Sequence, residues 1–325
     1  MLEFTRYRRL FYVGSAALLL PGLISLVLPG GLRPSIDFTS GTLMTVRFAN
    51  PVDQSAVSET FVDLGHPEAI VQRSGEGDFV IRTAPLDQPR AVTTDPGEAV
   101  SGRERIEHGL AERHGPFDIL SLDQVSPLIA AEIVQYSIIA TVTASAFILL
   151  YLWWAFRGVS HPWRFGVTAV AALLHDALVV LGIFSLLGRF LPMEIEATFI
   201  VAVLTVIGFS VHDTIVTFDR VRENTARLAG EPFEDIVNHS IAQTIVRSLI
   251  TSVTVLLTLV VLLLFGGVTI RTFILALLIG MAVGTYSSIF VASMLLVSWH
   301  LGELRWLGLR AASPPSVRPQ LEVSG

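Results

Sequence analysis

Residues 197–218 read ATFIVAVLTVIGFSVHDTIVTF: 22 residues with no Glu, Lys or Arg and a single acid, Asp213. At about 1.5 Å per residue such a run crosses the roughly 30 Å hydrocarbon core of a bilayer, which needs about 20 residues. Five further windows have the same length and apolarity: Leu10–Leu28, Ile133–Phe156, Phe165–Gly188, Ser248–Ile270 and Thr272–Trp299. Only the third window of the chain adds an acid, Asp176. The pattern predicts an α-helical membrane protein with six transmembrane helices. Composition agrees, with 52% hydrophobic and 15% charged residues, a balance beyond that of soluble domains.

All 22 basic residues are arginines, so the positive-inside rule is read from arginine alone. Arg6, Arg8 and Arg9 precede the first span, Arg157 and Arg164 lie between the second and third, and Arg220, Arg222 and Arg227 follow the fourth. Arg305, Arg310 and Arg318 follow the sixth, whereas the opposite side holds only Arg189 and Arg271 in its short connections. Both termini are expected in the cytoplasm and the segment between the first two spans outside it. The first span reads as a retained helix and not a cleaved leader, because its apolar run is long and Leu28-Pro29-Gly30-Gly31 offers no small-x-small site. The expected division is residues 1–30 as cytoplasmic start and first helix, 31–131 as exported domain, 132–302 as helices two to six and 303–325 as cytoplasmic tail.

Residues 33–132 carry 16 acids against 8 arginines, a net of -8 that leaves +2 for the remainder. That balance argues against a nucleic-acid partner. The chain has no cysteine, which excludes disulfide staples and thiolate metal sites. Within the segment Met44, Val46 and Phe48 alternate as in a half-buried strand. Val57, Phe61 and Leu64 recur at helical spacing over 53–64, with Gly65 as a stop. Residues 69–72 and 78–83 read as strands, 96–114 as a second helix and 117–122 as a last strand. The order β-α-β-β-α-β is the ferredoxin-like arrangement. No phosphate loop or nucleophile motif occurs, and His66, His108 and His114 stand at no metal-ligand spacing. Neither an enzyme nor a cofactor is expected.

An ionisable side chain at mid-membrane costs at least about 2.5–3.5 kcal/mol, so Asp213 is a functional candidate that faces other helices. Ser210, Asp213 and Thr217 share one helix face, and Gln243, Arg247, Thr251, Thr254 and Thr258 recur at the same spacing on the next span. The two stripes are expected to face each other, with Arg247 as counter-ion to Asp213 and the hydroxyls as a hydratable path. The bland alternative is a buried pair that only fixes packing. Asp176 beside His175 reads equally as a helix–helix hydrogen bond, and His212, about 100° around the helix from Asp213, as a packed side chain. Gly280 and Gly284 form a G-x-x-x-G suited to close helix packing.

Several stretches together resemble the SecF family of bacterial protein-export membrane subunits: IDFTSGT at 36–42, GFSVHDTIVTFDRVREN at 208–224, SLITSVT at 248–254 and FILALLIGMAVGTYSSIF at 273–290. The resemblance implies six spans with a ferredoxin-like domain after the first. It also implies a partner SecD, often YajC, and work beside the SecYEG channel in the plasma membrane, using the proton motive force to complete export of preproteins. By the same resemblance Asp213 and Arg247 are implicated in proton passage, and Asp37, Phe38, Thr39 and Gly41 belong to the motif after the first helix. His212 stands where the family usually has Asn, and Ser40 where it usually has a second Gly. A competing expectation is half of a resistance-nodulation-division solute exporter, whose architecture resembles a doubled version of this chain. A structural anchor without transport is the third.

Overall fold

The computed structural model describes residues 3–74, 77–86, 101–157, 161–191, 193–267 and 270–304. The expected tail beyond residue 304, and the expected start of the second helix at 96–100, lie outside them. Among the described residues six helices are long and apolar enough to span a membrane: α1 (Arg8–Val27, preceded by a 3₁₀ turn), α5 (Pro127–Ala155), α6 (Pro162–Phe190), α7 (Ala197–Arg227), α8 (Phe233–Phe265) and α9 (Arg271–Tyr286). The last continues through a π-helical turn, Ser287–Ala292, into α10 (Ser293–His300). They coincide with the six windows, but α7 and α8 run further at their joined ends. Hydropathy marks the apolar stretch, whereas backbone hydrogen bonding carries each helix on until Gly230, at φ 107°, and Pro232 interrupt it.

The chain divides into two compact units. One holds residues 33–140 and 194–200, and so contains both the small sheet and the first turn of α7. Its strands are β1 (Gly41–Phe48), β2 (Ile70–Ser74), β3 (Asp78–Thr83) and β4 (Phe117–Val125), all antiparallel in the order β2-β3-β1-β4. Alternation puts Met44, Val46 and Phe48 on one face of β1 and Phe79 and Ile81 on the same face of β3. Helices α3 (Gln54–Asp63) and α4 (Gly102–His114) add Val57, Phe61, Ile106 and Leu110 to this core. Ser101 and Glu104 close a reciprocal capping box at the start of α4.

The other unit is the helix bundle. Gly22 of α1 meets Gly182 of α6 so closely that a Cβ on either would lie within 2.7 Å of the other's Cα. Next to this crossing Ser25 and Ser185 share a 2.8 Å hydrogen bond. Small residues with a hydroxyl pair are a membrane solution, since lipid offers no hydrophobic drive to hold two helices together. Gly280 and Gly284 serve the same purpose against α7, where added Cβ atoms would meet Val206 and Ser210.

Candidate functional site: a polar core around α7

Helix α7 buries a stripe through Phe199, Ala202, Val206, Ser210, Asp213, Thr217, Val221 and Asn224, and beside it a second through Ile207, Val211, Thr214 and Phe218. Steps of three and four residues hold each stripe along its own side of the helix. The middle of the first stripe is polar, so the bundle encloses a hydrophilic band within the apolar stretch of α7 over residues 197–218.

Asp213 is only 4% exposed. Ser248 of α8 donates a long hydrogen bond to its Oδ1 at 3.4 Å, and its Oδ2 has no hydrogen-bond partner among the described residues. The Thr217 hydroxyl, one turn on, also lacks one. The expected pairing with Arg247 does not form: no ion pair joins the two side chains. Arg247 is exposed and lines a cavity of about 160 Å³ with Val216, Asp219, Arg220, Gln243 and Thr244. Nor do the stripes face each other. Thr251, Thr254 and Thr258 are exposed and donate back to carbonyls of their own helix. The side of α8 that turns inward carries Thr244, Ser248 and Ser252 instead. One residue along a helix is about 100° of rotation, so two polar stripes lay side by side in the sequence and periodicity did not distinguish them. Gln243 is exposed but keeps one inward link, accepting from the buried Asn224 amide at 3.1 Å. His212 is exposed, not packed, because it follows the outward face of α7.

Asp176 is held by more hydrogen bonds than Asp213. It is fully buried, and its Oδ2 accepts hydrogen bonds from Ser210 of α7 and Ser287 of the π-helical turn, each at 2.6 Å. His175 Nδ1 lies 3.1 Å from Oδ1. A neighbouring link joins Thr285, which donates to Ser252 of α8 at 2.7 Å. Ser248, Ser252, Thr285 and Ser287 were not selected from the sequence. The available signal was the run of hydroxyl residues at 285–288 inside an apolar span.

The motif after α1 reaches the other end of α7. Ser35 caps a short helix, α2 (Ile36–Thr39), by accepting from Asp37 N–H, and Thr39 donates to Ser35 O at 2.9 Å. Phe38 N–H donates to the same carbonyl. Asp37 Oδ2 accepts the backbone N–H of Ala197, the first residue of α7, at 2.7 Å. Ser35 and Ile195 are joined through the backbone, and Arg82 of β3 forms an ion pair with Glu194. Burial, and then the nearby Asp37 carboxylate, push the Glu196 carboxyl above its usual range. Gly41 sits at φ 135°, and a Cβ there would lie 2.7 Å from Thr83 O, so β1 enters the sheet through a position closed to other residues.

Two family models match the chain: "Protein export membrane protein SecD/SecF, C-terminal" over residues 106–302, and "SecD/SecF GG Motif" over residues 30–52. The chain is 47% identical to the protein translocase subunit SecF of Thermobaculum terrenum, over 92% of this chain and 94% of that protein. It is 36% identical to the translocase subunit SecDF of Thermus thermophilus, over 89% of this chain and 37% of that protein. A crystal structure of SecDF from the same genus, described as a translocon-associated membrane protein, superposes with a TM-score of 0.73 at 35% identity. That match covers 92% of this chain and 38% of the SecDF chain, so the chain corresponds to about two fifths of that larger protein.

Proposed function

The chain belongs to the SecD/SecF family of protein-export membrane proteins, and from that premise we propose that it couples proton entry at Asp213 to preprotein export. In this reading it is a SecF-type subunit of the bacterial plasma membrane. A SecD partner supplies the other half of the bundle, as the single-chain SecDF relative suggests. The pair works beside the SecYEG channel, with YajC as a further associate. The arginine bias supports cytoplasmic termini, and the acidic segment 31–131 is then exported. The strand order β2-β3-β1-β4 with two helices supports a ferredoxin-like form for that domain. Residues 132–302 carry the remaining spans and 303–325 the cytoplasmic tail.

The observation that carries the proposal is a carboxyl buried in an apolar helix with one oxygen unpaired. A buried polar atom left unpaired is costly, and taking up a proton removes the charge from that site. Arg247, Thr251 and Thr254 stand on the outward face of α8, where a SecD helix would bring them into the proton path from the other side. One charge moving through 100 mV releases about 2.3 kcal/mol, enough to bias a two-state rearrangement. Asp37 gives that bias a route, because it ties the start of α7 to the segment entering β1.

The test is Asp213→Asn in the assembled complex. Translocation stimulated by an imposed proton gradient is expected to be lost while the subunits still assemble. Undiminished stimulation would sink the proposal. Co-purification in mild detergent separates this reading from a solute exporter: a SecD-type chain with SecYEG is expected, and a periplasmic adaptor would favour the exporter.

A further inference from the structure

We infer that His212 is a proton-binding residue on the face that α7 turns to the partner subunit. The inference rests on the proton-coupling reading above. Val201, Thr205, Gly208 and His212 are all exposed and follow one another in steps of four, three and four, so they form one outward line on α7. That line is unlike a surface made for lipid. Leu10, Val13, Leu18, Leu20 and Ile24 cover the exposed side of α1, whereas α7 offers a hydroxyl, a bare stretch of backbone and an imidazole. The Thr205 hydroxyl donates to Val201 O at 2.7 Å. A Cβ on Gly208 would meet no atom within 4 Å, which leaves room for another helix to come close. His212 lies inside the apolar run 197–218, where an ionisable side chain is costly in lipid and is found facing protein or water instead.

Helix α8 continues the same surface, since its Arg247, Thr251 and Thr254 are exposed. Val216 and Arg247 line one cavity, so the outward sides of the two helices adjoin at that level. The helices run antiparallel; one turn further from their connection each carries a polar side chain, His212 on α7 and Thr251 on α8. The charged groups on this side are Arg247 on α8 and Asp219 and Arg220 at the cavity. Asp213 is next to His212 but turned inward, and Asp176 of α6, with His175 beside it, meets the buried side of α7 through Ser210. His212 itself has no hydrogen bond or ion pair among the described residues. Imidazole changes charge between about pH 5 and 8. In the step inferred here, the lone pair of a ring nitrogen takes a proton from water at the interface, the ring passes from neutral to singly positive, and the proton later returns to water. The imidazolium then shares one surface with Arg247, and like charges there alter what the partner helix gains by docking.

Asn at position 212 keeps a polar amide but has nothing to titrate, so H212N separates proton binding from packing. The complex with its SecD partner is assayed in vesicles as the ratio of preprotein export with an imposed proton gradient to export without it, using gradients of equal size between about pH 6 and 8. The wild-type ratio is expected to fall by roughly threefold over that range as the imidazole loses its proton. H212N is expected to keep a ratio above one that varies clearly less with pH. A profile in H212N as steep as that of wild type would overturn the inference alone. The second measurement is independent of export: H212C, the single cysteine of the chain, carries a photo-activatable cross-linker and is expected to capture the SecD partner. Capture of lipid only would put the side chain outside the interface and overturn the inference as well. A normal ratio in D213N would overturn the coupling reading and this inference with it.

Discussion

The carboxylate of Asp37 accepts the backbone N–H of Ala197 at 2.7 Å, so a residue just before β1 caps the helix that carries Ser210 and Asp213. The first N–H groups of a helix have no partner within it, and a carboxylate there also meets the positive end of the helix dipole.

Removing that acceptor in D37A is expected to destabilise the first turn of α7 by about 1 kcal/mol. Amide exchange over residues 197–200 should then quicken by roughly fivefold, the factor that energy represents. Proton-stimulated export should fall with it if Asp37 transmits the movement of α7. Unchanged exchange would show that water replaces the cap without loss.

Ser40 holds φ 61° and ψ 166°, a region that glycine enters freely and other residues enter at a cost of about 1–3 kcal/mol. S40G is expected to raise thermal stability, with part of that gain offset by the greater freedom of glycine in the unfolded chain, about 0.4–1 kcal/mol. A lower melting temperature would mean that the serine side chain contributes contacts outweighing the strain.

The chain has no cysteine, so single introduced thiols report unambiguously on which face of α8 meets another subunit. T254C is expected to cross-link to the SecD partner. S252C is not, because Ser252 is 1% exposed and bonded to Thr285. Reversal of that order would place the partner elsewhere.

Arg8 donates to Glu303 at the base of the bundle, through Nε at 3.0 Å and through a second guanidinium nitrogen. This contact, helped by Ser298, holds the Glu303 carboxyl below its usual range. A depressed acid stabilises the fold above its unfolded pKa of about 4.3, and that contribution is lost as pH falls through the lower folded value. The pair is partly solvated and worth no more than about 1 kcal/mol. Acidification should therefore loosen residues 301–304 in wild type, measured by amide exchange, while E303Q should be loose already at neutral pH.

Six spans, the acidic segment between the first two and the strands at 44–48 and 78–83 were legible because each rests on local regularities. Run length decides spanning, alternation decides strands, and a carboxyl in an apolar run announces itself by its cost. The same rules singled out Asp213, Ser210 and Thr217, which do share one buried stripe. They misplaced Thr251, Thr254 and Arg247, because the two polar stripes of α8 differ by a single residue of phase. Which of them turns inward depends on packing against α7 and α9. Asp176 gains its place only when Ser210 and Ser287, 34 and 111 positions away, converge on one oxygen. Asp37 caps a helix 160 residues later. Periodicity reports which residues of one helix share a face; only the folded bundle decides what that face meets.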